Sequence, residues 1–257
     1  MDEHKHNIIE IKTNRDGIMI LNGRDAGVSF LSQTIPHLEK IQVADLAFNP
    51  FLVFPICLRQ MVNLTSLDLQ DTKIMELPWF VGELGNLTQL NLQGNQLTSV
   101  PHEIEKLTKL TYLNLSNNQL QKVPDEIYGL DTLTHLAMNG NDISFVSSRI
   151  GALGNLETLE LNGNRLQTLP ETVGILKKLK FLFIIRNMPR FILPWCISKM
   201  TSLQYLKMDE QHDFPQGLVP FIAPLQHFTQ VVTKTSVFRF QYNPLTMLTQ
   251  YVSVRDI

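Results

Sequence analysis

The strongest constraint on this chain is a period. The phrase Leu64-x-x-Leu67-x-Leu69 returns as Leu87-x-x-Leu90-x-Leu92 and Leu110-x-x-Leu113-x-Leu115. Its first residue falls at 64, 87, 110, 133, 156 and 179, a constant step of 23 (87 − 64, and so on), followed by one step of 24 to Leu203. Self-similarity at such a period means that one small structural unit is repeated. The last two leucines of each phrase alternate with polar residues, as a short strand with one buried face requires. Four to six residues later a Pro often appears, followed by apolar residues at three-residue steps, as in Pro101, Ile104, Leu107 and Leu110. Pro suits the start of a helical turn, and the three-residue step keeps those side chains on one side. Each unit is therefore one strand plus one helical or 3-10 turn. A single copy cannot bury its leucines alone, whereas stacked copies share a core in which each buried Leu, Ile or Val is worth roughly 1.5–3 kcal/mol.

The phrase LxxLxLxxNxL resembles the leucine-rich repeat. The second half of each copy, as in Val123-Pro124 to Leu130, resembles the intracellular Ras-suppressor and Shoc-2-like subclass. The resemblance covers a little over half of the chain. It implies an α/β leucine-rich-repeat solenoid: a curved parallel sheet on the concave side, short helical or 3-10 turns on the convex side, and non-repeat caps at both ends. It also implies a signalling or scaffold role, through small GTPases or phosphatases. Asn95, Asn118, Asn141, Asn164 and Asn187 share one slot, three residues past the last strand leucine. There the chain leaves the sheet and backbone groups lose their ladder partners, so a buried amide can replace them. The slot holds Thr72 in the first clear repeat and Gln211 in the last, so the ladder is expected to be worn at both ends.

Three regions follow. Residues 1–60 are expected to form an N-terminal cap. In it, Ile8 to Leu21 makes a hairpin around the turn Asn14-Arg15-Asp16-Gly17. Val43-x-x-Leu46-x-Phe48 would be a degenerate first repeat whose Asn slot is Phe51. Residues 61–211 are the repeats. One coil lacks Pro and carries Ser147. Another gains a residue and holds Pro189, Arg190, Phe191 and Pro194, so its convex segment is expected to be distorted. Residues 212–257 lose the period. Their Phe228–Tyr242 and Tyr251–Val254 segments are rich in strand formers, which reads as a C-terminal cap.

Charge and cysteine narrow the function. Lysine and arginine total 22 against 24 acids, so no basic footprint marks nucleic acid or an anionic membrane as partner. No apolar run approaches the ~18 residues of a membrane helix, and the N-terminus does not read as a secretory signal. Only Cys57 and Cys196 are present, about six repeats apart, so a bond between them is geometrically implausible. The disulfide-rich caps of extracellular repeats are missing, which points to the cytoplasm, or to a host cytosol if the source is a bacterium. The Asn-x-Ser/Thr triplets at Asn63, Asn86 and Asn114 arise from the repeat itself.

The period also locates the surface that would bind. Residues that alternate with the strand leucines face solvent on the concave side. Early coils present small polar residues there, whereas later coils offer Phe181, Phe183, Ile185, Arg186, Tyr205 and Lys207. With Tyr112, His135 and Glu160 they form the candidate partner-binding row. Clustered aromatics with Arg are the composition of interface hot spots. The cover over Phe181 and Phe183 is either a protein partner or the chain's own residues after 212. Catalytic motifs such as HExxH, CxxC, GxSxG or a P-loop are missing from the sequence. The pair His135 and Glu160 sits on an open surface, which does not make a catalyst. The expectation is a monomeric, non-enzymatic module without metal or cofactor that binds a protein and does not insert into a membrane. The alternative is a structural protein that self-associates through its C-terminal strands.

Overall fold

The computed structural model describes residues 9–208 and the backbone of three later strands, 230–232, 237–242 and 249–254. The chain forms two compact units, Met1–Leu120 and Gln121–Ile257.

The first unit begins with β1 (Glu10–Thr13) and β2 (Met19–Asn22), an antiparallel hairpin. Asn14 closes it: its Oδ1 accepts from the backbone N–H of Asp16 and of Ile18, each at 2.9 Å, while Gly17 takes the positive φ of 79° that the turn needs. Then come β3 (Ile41–Asp45), β4 (Ser66–Asp68), β5 (Gln89–Asn91) and β6 (Tyr112–Asn114), all parallel to one another and to β2. Ala44, Leu67, Leu90 and Leu113 stand side by side in this register, each at most 1% exposed. Between strands the chain returns through 3-10 helices at Ile56–Gln60, Trp79–Glu83 and His102–Lys106, each preceded by a Pro in extended geometry.

The register corrects the sequence reading of the first repeat. Val43 pairs with Ser66 and Ala44 with Leu67, so the phrase runs Ile41-x-x-Ala44-x-Leu46-x-x-Asn49, a full 23 residues before Leu64 (64 − 41). Alanine at the central leucine position hid this frame. Asn49, not Phe51, fills the amide slot: its Nδ2 donates to Gly23 O at 2.7 Å and Leu46 O at 2.8 Å, and its Oδ1 accepts from Val28 N at 3.0 Å. The N-terminal end of the ladder is therefore intact beyond Thr72. Thr72 joins it by donating its hydroxyl to Leu69 O, 2.9 Å away. Asn95 and Asn118 make the same pattern, Asn118 donating to Leu92 O at 2.9 Å and accepting from Leu97 N at 3.0 Å.

The second unit repeats the plan with β7 (His135–Ala137), β8 (Thr158–Glu160), β9 (Phe181–Phe183) and β10 (Tyr205–Lys207) in parallel register. Its 3-10 helices are Asp125–Gly129, Ser148–Ala152, Glu171–Ile175 and Trp195–Lys199. Asn164 and Asn187 continue the amide pattern. Gln211 lies outside the described residues. The residue added after Asn187 does not distort the convex turn, contrary to the sequence expectation. It is absorbed earlier, in a turn where Phe191 N bonds Met188 O at 3.0 Å, and the 3-10 helix after Pro194 keeps its five residues. Phe191 anchors that detour, fully buried.

Three strands follow β10: β11 (Gln230–Val232), parallel to it, then β12 (Val237–Tyr242) and β13 (Thr249–Val254), both antiparallel to their predecessors. The remainder of 212–257 lies outside the described residues. Among the described residues no helix exceeds five residues, and none is long and apolar enough to cross a membrane.

Two further columns recur at the repeat period. Asp25, Phe48, Asp71, Gly94, Asn117, Gly140, Gly163 and Arg186 all have φ between 52° and 70°, the left-handed region. The chain turns away from the sheet there, one residue before the amide slot. Thr65, Thr88 and Thr111 form the other column, each hydroxyl donating to a carbonyl one coil earlier at 2.9–3.0 Å.

Candidate functional site

The candidate row divides between the two units. Tyr112 lies half-buried on β6 of the first unit, beside Gln89. The other eight residues belong to the second unit. On the first unit's face Arg24 reaches Asp45 at 3.2 Å and Asp68 at 3.4 Å and lies 4.7 Å from the Phe48 ring centroid. Asn114 donates to the Gln93 side chain at 3.0 Å.

In the second unit the parallel register places His135 beside Thr158, Thr158 beside Phe181 and Phe181 beside Tyr205. One step along the strands, Ala137, Glu160, Phe183 and Lys207 form the next row. His135 and Glu160 meet diagonally: Nε2 is 3.1 Å from Oε1. The other oxygen, Oε2, accepts from Asn139 Nδ2 at 2.6 Å. The hydrogen bond from His135 holds the Glu160 carboxyl below the usual carboxylate range. Asn139 works in the same direction, and both outweigh the partial burial that opposes them. The carboxylate is thus ionised and oriented by two donors.

Asn139 and Asn162, absent from the candidate row, complete this arrangement. Asn139 Oδ1 accepts from Asn162 N and Asn162 Oδ1 from Ile185 N, both at 2.9 Å. Their signal in the sequence was their shared position just beyond the strand, 23 residues apart. Arg186 follows as an exposed residue in the left-handed region, φ 55°.

The aromatic half of the face is a cluster. Ring centroids of Phe183 and Tyr205 lie 5.4 Å apart and those of Phe181 and Tyr205 6.5 Å, tilted at 46° and 48°. Phe181 is 37% exposed, while Phe183 and Tyr205 are half-buried. The expectation that residues after 212 could cover Phe183 falls outside the described residues. Among the described residues no group of His, Cys, Asp and Glu is arranged to hold a metal. The face presents an oriented carboxylate, aromatic surface and a cation to whatever meets it.

Comparison with known proteins gives concordant matches. A family model described as "Leucine-rich repeat region" matches residues 127–233, and one described as "Leucine rich repeat" matches residues 85–143. No curated protein matches the chain. Among solved structures, a leucine-rich-repeat protein of Leptospira interrogans is 31% identical over 80% of this chain, with a TM-score of 0.72; the chain spans 52% of that protein. Internalin C2 of Listeria monocytogenes is 20% identical, covering 75% of this chain and 81% of its own, at a TM-score of 0.66. The plant peptide hormone receptor RGFR1 in complex with RGF2 is 18% identical, with coverage of 87% and 41%, also at 0.66. The last two likenesses are likenesses of fold alone.

Proposed function

This chain is a leucine-rich-repeat protein, a fold that commonly serves protein–protein interaction, and from that premise we propose that it is a non-enzymatic module gripping a protein partner on the strand face of its second unit. The observation that carries the proposal is the cluster of Phe181, Phe183 and Tyr205 beside the oriented Glu160. A partly exposed aromatic cluster rimmed by charge has the make-up of an interface hot spot. The chain acts as a monomer with this face open. Its 23-residue period and the Pro before most 3-10 turns support the Ras-suppressor and Shoc-2-like subclass, with a signalling or scaffold role. Both cysteines are free and buried, which supports a reducing, cytosolic setting. Likeness to a Leptospira protein at 31% identity supports a bacterial source, the setting in which the chain would be an effector working in a host cytosol. The test is affinity capture from the native cell with wild type and with Phe183→Glu combined with Phe181→Ala. Loss of the captured partners supports the site; a folded double variant that retains them refutes it.

One observation favours a second reading. β13 pairs with β12 alone among the described residues, so one edge of a six-residue strand is open. Unpaired strand edges recruit another chain, which is the self-association alternative. Light scattering separates the two, since self-association gives a mass of at least two chains at working concentration.

A further inference from the structure

The strand register of the second unit sets three different chemistries in one row. Glu160 stands directly beside Phe183 on the neighbouring strand, and Phe183 directly beside Lys207 on the next. Adjacent strands are about 4.8 Å apart, so the backbone positions that carry the carboxylate and the ammonium lie roughly 10 Å from each other, with Phe183 between them. Both ends have charge to offer. Glu160 is pinned by His135 Nε2 and Asn139 Nδ2, which together occupy one site on each of its two oxygens and leave the remaining acceptor positions for a ligand. The backbone carbonyl of Lys207 accepts from Ile184 N at 2.8 Å, whereas the Lys207 ammonium makes no ion pair or hydrogen bond among the described residues. The tilted Phe183 and Tyr205 rings floor the middle and leave an apolar seat.

Resting on the protein-binding role proposed for this face, we infer that it reads a polypeptide segment carrying a basic, an apolar and an acidic side chain in that spatial order, the base over β8 and the acid over β10. Charge complementarity selects this occupant and its direction. A segment laid the other way sets like charges against both Glu160 and Lys207, and such juxtapositions are what make interfaces reject wrong partners. Nucleic acid supplies no cation for Glu160. A purely apolar segment leaves both charges unanswered.

The test uses a random 15-residue display library selected on the immobilised full chain, with counter-selection against Phe181→Ala combined with Phe183→Ala. Enriched peptides are expected to share the basic, apolar, acidic order. By fluorescence anisotropy, Glu160→Lys and Lys207→Glu should each weaken the best peptide by roughly tenfold or more. The isosteric Glu160→Gln should weaken it less and in the same direction. Exchanging both charges, Glu160→Lys with Lys207→Glu, should restore binding to a peptide whose ends are exchanged. Peptides that require the two phenylalanines but show no charge order overturn this inference and leave the face as a binding surface. If no peptide distinguishes wild type from the phenylalanine variant, both the inference and the proposed site fall.

Discussion

The phenolic oxygen of Tyr128 accepts the backbone N–H of Ser147 at 3.2 Å. Ser147 stands where the other five-residue 3-10 helices among the described residues are preceded by Pro, and its φ of −65° is a proline value. Substituting serine for proline frees an N–H, and the ring of Tyr128, 3% exposed, reaches across from the preceding coil to satisfy it. What reads in the sequence as a single departure is thus one half of a matched pair.

Tyr128→Phe should leave that N–H unpaired and cost about 1–3 kcal/mol. Adding Ser147→Pro removes the orphaned donor and suits the existing backbone, so the double variant should recover most of the loss. Urea unfolding of wild type, both single variants and the double variant measures the coupling. Additive single losses would rule the pairing out as a source of stability.

Gly163 and Gly94 occupy the same left-handed slot with different surroundings. A Cβ on Gly163, φ 63°, meets nothing closer than 3.5 Å, so Gly163→Ala should cost only the backbone penalty of about 1–2 kcal/mol. On Gly94 it would lie 1.9 Å from the Asp71 carboxylate, so Gly94→Ala should cost more unless that side chain turns aside. Comparing Gly94→Ala with and without Asp71→Ala by thermal unfolding isolates the steric share.

Asn118→Ala removes an amide that donates to the carbonyls of Leu92 and Leu115 and accepts from Leu97 N. Several buried backbone groups lose a partner at once, and the expected loss is about 2–4 kcal/mol. Asn63, exposed and bonded to Glu39 O, is the control, with Asn63→Ala expected within about 1 kcal/mol. Equal losses at the two sites would show that burial of the ladder is not what matters.

Alkaline pH should weaken the fold. Burial pushes the thiols of Cys57 and Cys196 from 9.0 to about 11, and the Tyr128 hydroxyl from 10.0 to about 12. Each folded pKa is raised, so the stability is fully present below about pH 9 and is lost as pH rises through 9 to 12, because the unfolded chain gives up these protons first. Tyr128→Phe should flatten the upper part of that decline in a series of melts. Glu160 runs the other way. Its folded pKa is lowered, so its contribution is present above the ordinary carboxylate range and is lost as pH falls through the folded value. Glu160→Gln should remove that acid limb.

Much of the architecture could be read before the structure, at particular residues. The alternation of Leu90 and Leu92 with polar neighbours specified a half-buried strand, Asn14 to Gly17 specified a hairpin turn, and the spaced Asn residues specified a buried ladder. The first frame was misread because Ala44 fills a leucine slot: small and apolar, it packs there but carries no signal. The left-handed column was half visible through Gly94, Gly140 and Gly163, and was concealed where Phe48 and Arg186 take the same φ. Of the candidate site, the rows were legible from the period. The contacts were not, because the step from His135 to Glu160, and from Phe183 to Tyr205, is diagonal and depends on rotamers.

The amino-acid order alone determined the unit, its length and which side chains turn inward, because strand alternation and the 23-residue step are local properties that each coil imposes on the next. Only the tertiary structure decided where the first coil begins, where the extra residue near Pro189 is absorbed and which side chains on the face touch. Those depend on neighbouring coils competing for the same backbone donors and the same core volume.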